Sequence, residues 1–345
     1  MSAAIARASR LTVIPPTYND YMEKLNISVI VKRFSDESAA WECLEEMRWP
    51  NGPVCPHCGV IGTAYFIQPK NGHRTTSTGK VSYRRLWKCA DCRKPFSVLV
   101  GTIFERSQVP LSKWLLALYM MSASKNGVAA FEIHRTLGVT NKTAWFMMMR
   151  IREAMKRGEL AAPMVGTIVA DETYIGGKKK NQHQQGRKRP NSSKGLAGHQ
   201  PDKTAVLSLV NKRTGEVRSR VVANVEGPIL EAAIREEVQV SASILHTDKG
   251  SWYNLLGTEF KNHHTVDHHR FEFVRGDIST NQAENYFGQL KRSIDGTHHR
   301  VSRTHLPRYL AEFDFRYSTR KMSDTARMEQ LVSQTAGRRL TYESL

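Results

Sequence analysis

The sequence predicts a mixed α/β protein in which two small modules precede a larger domain. Two Cys-x-x-Cys pairs at 55–58 and 89–92 suggest a metal-bound ribbon. Two helical stretches joined by a glycine follow at 128–157, and from residue 165 short apolar strands alternate with amphipathic helices. Such alternation is typical of α/β domains. The 345 residues are enough for two or three domains of ~100–200 residues each.

Shifts in composition and pattern divide the chain into five parts. Residues 1–34 are a weakly patterned N-terminal arm, and residues 35–104 hold a helix followed by the ribbon. Residues 105–160 are a helical segment that we expect to bind DNA. Residues 161–320 form the larger domain, and residues 321–345 are expected to be a C-terminal tail.

The composition is strongly basic. Lys and Arg number 51 against 32 Asp and Glu, which gives a formal net charge of +19. A polyanionic partner explains this excess, with nucleic acid the first candidate and an anionic membrane surface the second. A basic protein without such a partner is the remaining alternative. The longest apolar run, Trp114–Met121, is far shorter than the ~20 residues of a spanning helix, so we expect a cytoplasmic protein.

Four of the five cysteines form two close pairs, Cys55 with Cys58 and Cys89 with Cys92. Each pair can offer two thiolates to one ion, and four sulfurs complete the tetrahedral shell that suits a structural Zn²⁺. A redox pair or two unrelated coincidences are the alternatives. The 30 residues between the pairs imply an inserted hairpin. The fifth cysteine, Cys43, lies in a predicted helix and is expected to be a small buried apolar residue.

The stretch from Val128 to Arg150 has the pattern of a helix-turn-helix. Gly138 supplies the turn, and Thr140 is a suitable N-cap for the second helix. Side chains near the start of that helix are of types that reach bases or phosphates in DNA. An ordinary helical linker is the alternative interpretation. The candidate DNA contacts of this segment are Asn141, Lys142 and Arg150.

Two acidic residues of the larger domain follow predicted strands. Asp171 ends the strand at 167–170, and Asp248 ends the strand at 243–246. A carboxylate at the end of a buried strand is costly unless it binds a cation or a hydrogen-bond donor. Glu172 should point to the opposite face of its strand from Asp171, because side chains alternate along a strand.

A third acid, Glu284, lies on a predicted helix from about Asn281 to Ile294. The helix has an apolar stripe that should face the sheet, formed by Ala283, Tyr286, Phe287, Leu290 and Ile294. Glu284 and Lys291 fall at the border of that stripe, within about 20° of each other around the helix axis.

Three carboxylates from two strand ends and one helix can hold two Mg²⁺ or Mn²⁺ ions ~3.5–4 Å apart. Such a pair activates the attacking hydroxyl and stabilises the leaving oxygen in a displacement at phosphorus. Lys291 would then act as a point charge beside a DNA phosphate. The sequence therefore predicts Asp171, Asp248, Glu284 and Lys291 as catalytic residues, with the three acids as metal ligands.

The order of these elements narrows the fold class. The first acid lies on the first strand, two strands and a helix follow, and the second and third acids lie on a later strand and a later helix. This is the chain order of an RNase H-like fold. Over roughly residues 35–320 the sequence also resembles the DDE-type insertion-sequence transposases of the ISXO2-like group. The segments that carry the resemblance are Val169–Lys178, His246–Asp248, Asn281–Phe287, Leu290–Arg292, Gly296–His299 and Tyr309–Tyr317.

The resemblance implies an RNase H-like catalytic domain with a triad at Asp171, Asp248 and Glu284, and metal-dependent cleavage and transfer of DNA strands. It further implies double-stranded DNA partners, namely the element's terminal inverted repeats and target DNA. A dimer or larger assembly on DNA and a bacterial nucleoid-associated location are expected. Some relatives have Asn at the third position, whereas Glu284 keeps the acid set intact here.

A long basic insertion occupies residues 176–203, where a plain RNase H hairpin is short. It has little to bury, and it either clamps DNA or is simply solvated. Together with one residue of the helix that carries Glu284, it offers the further candidate DNA contacts Lys178, Lys179, Arg187, Lys188, Arg189 and Arg292.

Two other functions remain open. One is a DNA-binding regulator or inactive relative, which a ribbon and a helix-turn-helix alone would support but which needs no central acids. The other is a nuclease of RNase H type acting on RNA–DNA hybrids or junctions, which needs no two N-terminal DNA-binding modules. The histidine pairs at 263–264 and 268–269 could bind metal, but exposed, DNA-facing histidines are the favoured interpretation.

Overall fold

A computed structural model describes residues 27–34, 36–69, 73–158, 161–176 and 203–344. Most of the predicted arm and most of the predicted basic insertion lie outside these residues. Among the helices of the described ranges, none combines the length and the apolar character that a membrane crossing requires.

The N-terminal part consists of two helices and a small ribbon. The helices are α1 (Ile27–Arg33) and α2 (Glu37–Arg48). The ribbon's three-stranded antiparallel sheet has the order β1-β4-β5, and β2 pairs with β3 in the hairpin predicted between the cysteine pairs. The strands are β1 (Ala64–Phe66), β2 (Arg74–Thr75), β3 (Val81–Ser82), β4 (Trp87–Cys89) and β5 (Pro95–Phe96).

Three helices follow the ribbon, α3 (Leu111–Ala123), α4 (Ala130–Leu137) and α5 (Asn141–Met155). Gly138 ends α4 at φ +59°, the left-handed conformation in which glycine has no Cβ penalty. The Thr140 hydroxyl accepts a hydrogen bond of 3.1 Å from the backbone N–H of Thr143, so the predicted N-cap of α5 is confirmed. Apolar residues of α2, the ribbon and α3–α5 pack together into what we call the N-terminal core.

A five-stranded sheet of order β8-β7-β6-β9-β10 forms the centre of the larger domain. β6, β7 and β8 are antiparallel neighbours, whereas β9 is parallel to both β6 and β10. A small hairpin, β11–β12, follows β10. The strands are β6 (Thr167–Ile175), β7 (Thr204–Asn211), β8 (Val217–Val222), β9 (Ile244–Asp248), β10 (Asn262–Val266), β11 (Val274–Arg275) and β12 (Ile278–Ser279).

Helices cover both faces of this sheet. Even-numbered residues of β6, such as Ile168 and Ala170, pack against α6 (Gly227–Glu237), while Val169 packs on the other face against α8 (Asn281–Ser293). The apolar stripe predicted for α8 is confirmed, because its five members are buried in the same cluster as Val169. The remaining helices are α7 (Asn254–Gly257) and α9 (Leu306–Ser318), and a short π-helix at Ile294–His298 continues α8.

The segment that we expected to be a C-terminal tail contains a further helix, α10 (Asp324–Ser333). Its residues Met328, Leu331 and Val332 have no exposed surface and belong to the N-terminal core. The apolar period of this short helix is visible in the sequence, but its packing partner is α3, about 200 residues earlier in the chain. The chain therefore closes back onto its first module.

A buried acid links the sheet to α8 and α9. Tyr286 of α8 donates a hydrogen bond of 2.6 Å to Asp314 of α9, and the backbone N–H of Ser219 in β8 donates one of 2.7 Å. Burial raises the pKa of Asp314 to about 7, although both hydrogen bonds act in the opposite direction, and Glu237 adds to the rise. The carboxyl is therefore protonated in the folded protein at pH values where it ionises in the unfolded chain.

This raised pKa predicts that stability falls as the pH rises from about 4 to about 7. The folded state binds the proton of Asp314 more tightly than the unfolded state throughout that window. The free energy of unfolding therefore falls as the pH rises, by on the order of 4 kcal/mol in total. Asp314→Asn mimics the protonated carboxyl and should remove this part of the pH dependence of Tm between about pH 4 and about pH 7. Asp277→Asn, at an exposed site, is the control, and equal pH profiles for the wild type and Asp314→Asn would contradict the prediction.

Candidate active site and metal centre

The ribbon brings its four cysteines together. Cys55 Sγ lies 3.6 Å from Cys92 Sγ, and Cys58 Sγ lies 3.6 Å from Cys89 Sγ. All four sulfurs are within 4.8 Å of one another. A tetrahedron with Zn–S bonds of about 2.3 Å has sulfur–sulfur edges of about 3.8 Å, so the cluster fits one zinc ion. Cys43 is buried in α2 apart from this cluster, as predicted from the sequence.

Loss of one thiolate is expected to empty the ribbon of zinc. Cys89→Ser should lower the zinc content from one ion per chain to well below one, because a structural site supplies the folding free energy of its module. The Trp87 ring packs 6.1 Å from the Trp49 ring beside the cluster. Tryptophan fluorescence should therefore report unfolding of the ribbon when the zinc is lost. The matched control is Cys43→Ser, which should keep the metal. Full zinc occupancy in Cys89→Ser would contradict the assignment.

The sheet register places two of the predicted catalytic acids side by side. β6 and β9 run parallel, with Thr167 beside Ile244 and Val169 beside His246. Asp171 and Asp248 each lie two residues beyond the second pair, and alternation along the strands puts both side chains on the face that α8 covers. Glu284 lies in the first turn of α8, which packs on that face. The strands and the helix thus direct all three carboxylates toward one region.

The electrostatics agree with this placement. The pKa of Asp171 is raised to about 6, chiefly by burial and with smaller contributions from the carboxylates of Glu284 and Asp248. The backbone N–H of Glu172, which donates a hydrogen bond of 2.8 Å to Asp171, acts in the opposite direction. An acid that is destabilised by burial and by two like charges is stabilised when a divalent cation binds among them.

Asp171 differs in one respect from its predicted position. It does not end its strand, because β6 continues to Ile175 and pairs with β7 as far as Thr204. The residues Thr173, Tyr174 and Ile175 have high β-propensity and could have indicated the longer strand. Pairing with β9 ends at Val169, however, so Asp171 lies where its parallel neighbour no longer pairs with β6.

Glu172 faces the opposite side of the sheet from Asp171, as expected for the next residue of a strand. The Tyr253 hydroxyl donates a hydrogen bond to its carboxylate from the α6 side. Burial raises the pKa of Glu172 to about 8, and Asp171 and Asp248 add to the rise. At neutral pH this side chain is therefore mainly protonated, and it adds little charge to the site.

His268 lies beside Glu284, whereas the sequence analysis named it only as a member of a histidine pair. Its Nδ1 lies 3.6 Å from Glu284 Oε1, and its Nε2 lies 3.1 Å from Thr280 Oγ1. The favoured sequence interpretation placed the histidine pairs on an exposed DNA-facing surface, whereas the His268 side chain is only 24% exposed. The signal available was its place shortly before the helix that carries Glu284, but the intervening turn could not be predicted.

The predicted DNA contacts, together with Lys291, fall into three groups. Asn141, Lys142, Lys291 and Arg292 are exposed at the surface. Arg150 is only 6% exposed, and it donates hydrogen bonds to the backbone carbonyls of Glu105 and Leu340, an arrangement that suits a structural role rather than contact with DNA. The residues Lys178, Lys179, Arg187, Lys188 and Arg189 lie outside the described residues.

Comparisons with known proteins agree in both modules. Residues 163–318 match the model of the ISXO2-like transposase domain, and residues 35–95 match that of the transposase zinc-ribbon domain. The chain is also similar to an uncharacterized protein in transposable element ISH50 from Halobacterium salinarum. The two are 27% identical over 293 residues, which cover 83% of this chain and 92% of that protein.

Proposed function

We propose that this chain, in which residues 163–318 match the ISXO2-like transposase domain and residues 35–95 match the transposase zinc-ribbon domain, binds the ends of its own insertion sequence and catalyses metal-dependent cleavage and transfer of DNA strands. The observation that supports the proposal is that β6, β9 and α8 direct Asp171, Asp248 and Glu284 to one face of the sheet. A DNA-binding regulator has no use for three carboxylates at such a position.

The sheet order supports an RNase H-like catalytic fold. Three antiparallel strands followed by two parallel ones, with the first strand in the middle, give the chain order expected for that fold. In this arrangement Asp171 lies on the central strand and Asp248 on its parallel neighbour. The sheet topology therefore makes these two acids neighbours. The zinc ribbon precedes this domain and packs with α2–α5 in the N-terminal core.

In the proposed mechanism the three carboxylates hold two divalent cations, and oxygen ligands suit Mg²⁺ or Mn²⁺. When bound, the cations activate the attacking hydroxyl and stabilise the leaving oxygen. Asp171 and Asp248 lie on strands of the sheet, while His268, which is hydrogen-bonded to Thr280, lies beside the more exposed Glu284. Lys291, two turns along α8, is placed to neutralise a neighbouring DNA phosphate.

The N-terminal modules would hold the DNA. We assign α4 and α5 to a helix-turn-helix in which Asn141 and Lys142, exposed at the start of α5, approach base edges or phosphates. Arg292 and the basic insertion at 176–203 add contacts to the sugar–phosphate backbone. Because transposition joins two element ends, two active sites are needed, and we propose a dimer or larger assembly on DNA.

Cleavage and joining of labelled element ends test this function. The wild type with Mg²⁺ or Mn²⁺ should nick DNA at the element boundary and join the new 3′ ends to a target plasmid. Duplexes with scrambled ends and reactions with EDTA are the controls. Cleavage of RNA–DNA hybrids without joining would favour the nuclease alternative, and specific end binding without cleavage would favour an inactive DNA-binding protein.

A further inference from the structure

An exposed aromatic residue lies on the loop beside the catalytic helix. Phe271 is 83% exposed, the highest exposure among the large apolar residues of the described chain. It belongs to residues 267–275, which we call the wedge loop. These residues run from the end of β10 to the end of β11. A partner that covered this ring would remove its apolar surface from water, which is energetically favourable.

The wedge loop is held in shape rather than left free. The backbone N–H of Phe271 donates a hydrogen bond of 3.1 Å to the His268 carbonyl, and that of Glu272 donates one of 3.1 Å to the Asp267 carbonyl. The Asp267 carboxylate lies 3.2 Å from Lys249 Nζ, next to the catalytic Asp248. Phe271 itself has φ +58°, which is rare for a large side chain and is maintained here by the surrounding bonds.

The loop is tied to the catalytic carboxylates through His268. The ring of Phe273 packs 5.3 Å from the His268 ring, and His268 Nδ1 lies 3.6 Å from Glu284 Oε1. Phe271 is therefore only a few residues from a group that contacts a proposed metal ligand. DNA bound at the three carboxylates would therefore run close to the wedge loop.

The surrounding charges point to DNA as that partner. The side chains of Arg270 and Arg275 are 82% and 56% exposed and flank the ring on both sides in sequence. Each has one acidic neighbour on the loop, at 3.6 Å and 3.1 Å, and Arg275 also donates a hydrogen bond to the Thr265 carbonyl. An aromatic ring between exposed arginines suits base stacks bordered by phosphates better than the apolar surface of a second copy.

We propose that Phe271 inserts into the DNA base stack next to the scissile phosphate and unstacks one base step, while Arg270 and Arg275 contact the flanking phosphates. This inference rests on the proposed function, because it assumes that DNA reaches the three carboxylates. Local unstacking would bend the backbone and let the phosphodiester approach Glu284 and the two aspartates.

The test uses an element-end duplex with fluorescent 2-aminopurine at the base step beside the cleavage position. In Ca²⁺, which permits binding, the wild type should raise the fluorescence several-fold, about the change expected when a base leaves the stack. Phe271→Ala should bind the duplex but give no rise. Val274→Ala removes an exposed apolar side chain from the same loop and should behave as the wild type.

Cleavage provides the second readout. Phe271→Ala should cleave the intact duplex at least about 10-fold more slowly, and a mismatch at the same base step should restore its rate to within about 2-fold of the wild type. A variant that had merely lost its fold would not be rescued by a change in the DNA. A Phe271→Ala protein that cleaves both duplexes normally, or one that loses its oligomeric state, would overturn the inference.

The two proposals fail in different ways. A wild type that raises the fluorescence but cuts no DNA would contradict the proposed function and leave base unstacking supported. A wild type that cuts and joins element ends without any rise would contradict the role of Phe271 and leave the transposase assignment intact.

Discussion

Asp171→Asn is expected to reduce metal-dependent cleavage of element ends at least about 1,000-fold while leaving DNA binding intact. Such a factor corresponds to about 4 kcal/mol of transition-state stabilisation. Asp171 lies where Glu284 and Asp248 both act on its charge, and an amide there supplies one neutral oxygen in place of a charged ligand. Glu284→Gln should lose cleavage in the same way, because it removes the charge of the metal ligand that we propose on α8.

The adjacent residue offers a matched control. Glu172→Gln changes the next side chain of the same strand, but on the opposite face and at a group whose pKa is already raised to about 8. Its cleavage rate should stay within about 10-fold of the wild type. Single-turnover cleavage and gel-shift binding measure the two effects separately. If Asp171→Asn cleaved normally and Glu172→Gln did not, the assignment of the metal-binding face would be wrong.

The effect of Mg²⁺ on the Tm provides a second way to compare Asp171→Asn with the wild type. The three carboxylates repel one another when no cation is present, and Asp171→Asn removes one of the three charges. We therefore expect Mg²⁺ to raise the Tm of the wild type clearly and that of Asp171→Asn only slightly. The zinc content of the ribbon should be equal in both proteins, which shows that the variant has kept its other module.

The largest expected loss of stability comes from Glu312→Ala. Glu312 has no exposed surface and accepts a hydrogen bond of 2.7 Å from Arg152 Nε, and Arg316 lies 3.7 Å away. Burial acts to raise the pKa of Glu312, but the two arginines outweigh it and lower that pKa. Removing the carboxylate leaves two buried guanidinium groups without a counter-ion and should cost about 3–5 kcal/mol of unfolding free energy.

An exposed pair of the same chemistry is the control for Glu312. Glu236 contacts Arg220 at the surface, with 64% and 40% of the side chains exposed. Glu236→Ala should cost no more than about 1 kcal/mol, because solvent screens such pairs. Urea unfolding of both variants measures the difference. A loss at Glu312 no larger than that at Glu236 would show that the arginines find other partners or reach water.

Much of the site could be predicted from local sequence pattern. The apolar period of α8 fixed which of its faces meets the sheet, and that face set the position of Glu284 at its edge. The four cysteines could be assigned from spacing alone, because two Cys-x-x-Cys pairs leave few other chemical uses. These features depend on residues that are near in sequence or that share one ion.

Long-range packing explains what the sequence did not reveal. The contact of His268 with Glu284 depends on a turn at 267–272 that no periodicity describes. Arg150 reads as a solvent-facing cation on a predicted recognition helix, yet it is buried between Trp114 and Phe146. Its guanidinium satisfies carbonyls contributed by Glu105 and Leu340, and distant partners of this kind leave no local pattern.

The seating of α10 in the N-terminal core has a consequence for synthesis of the protein. Met328, Leu331 and Val332 complete a cluster that begins before residue 50, and they leave the ribosome long after Trp114 and Leu118 do. The N-terminal core therefore emerges with part of its apolar surface uncovered. Its last helix, α10, is added only after the strands of the larger domain have been synthesised. A translation product that stops near residue 320, after the larger domain, would lack α10. The N-terminal core would then lose packing, although it is built mainly from residues far from the stop in sequence. Shortened copies of this protein should accordingly be cleared by proteases rather than persist as DNA-binding competitors.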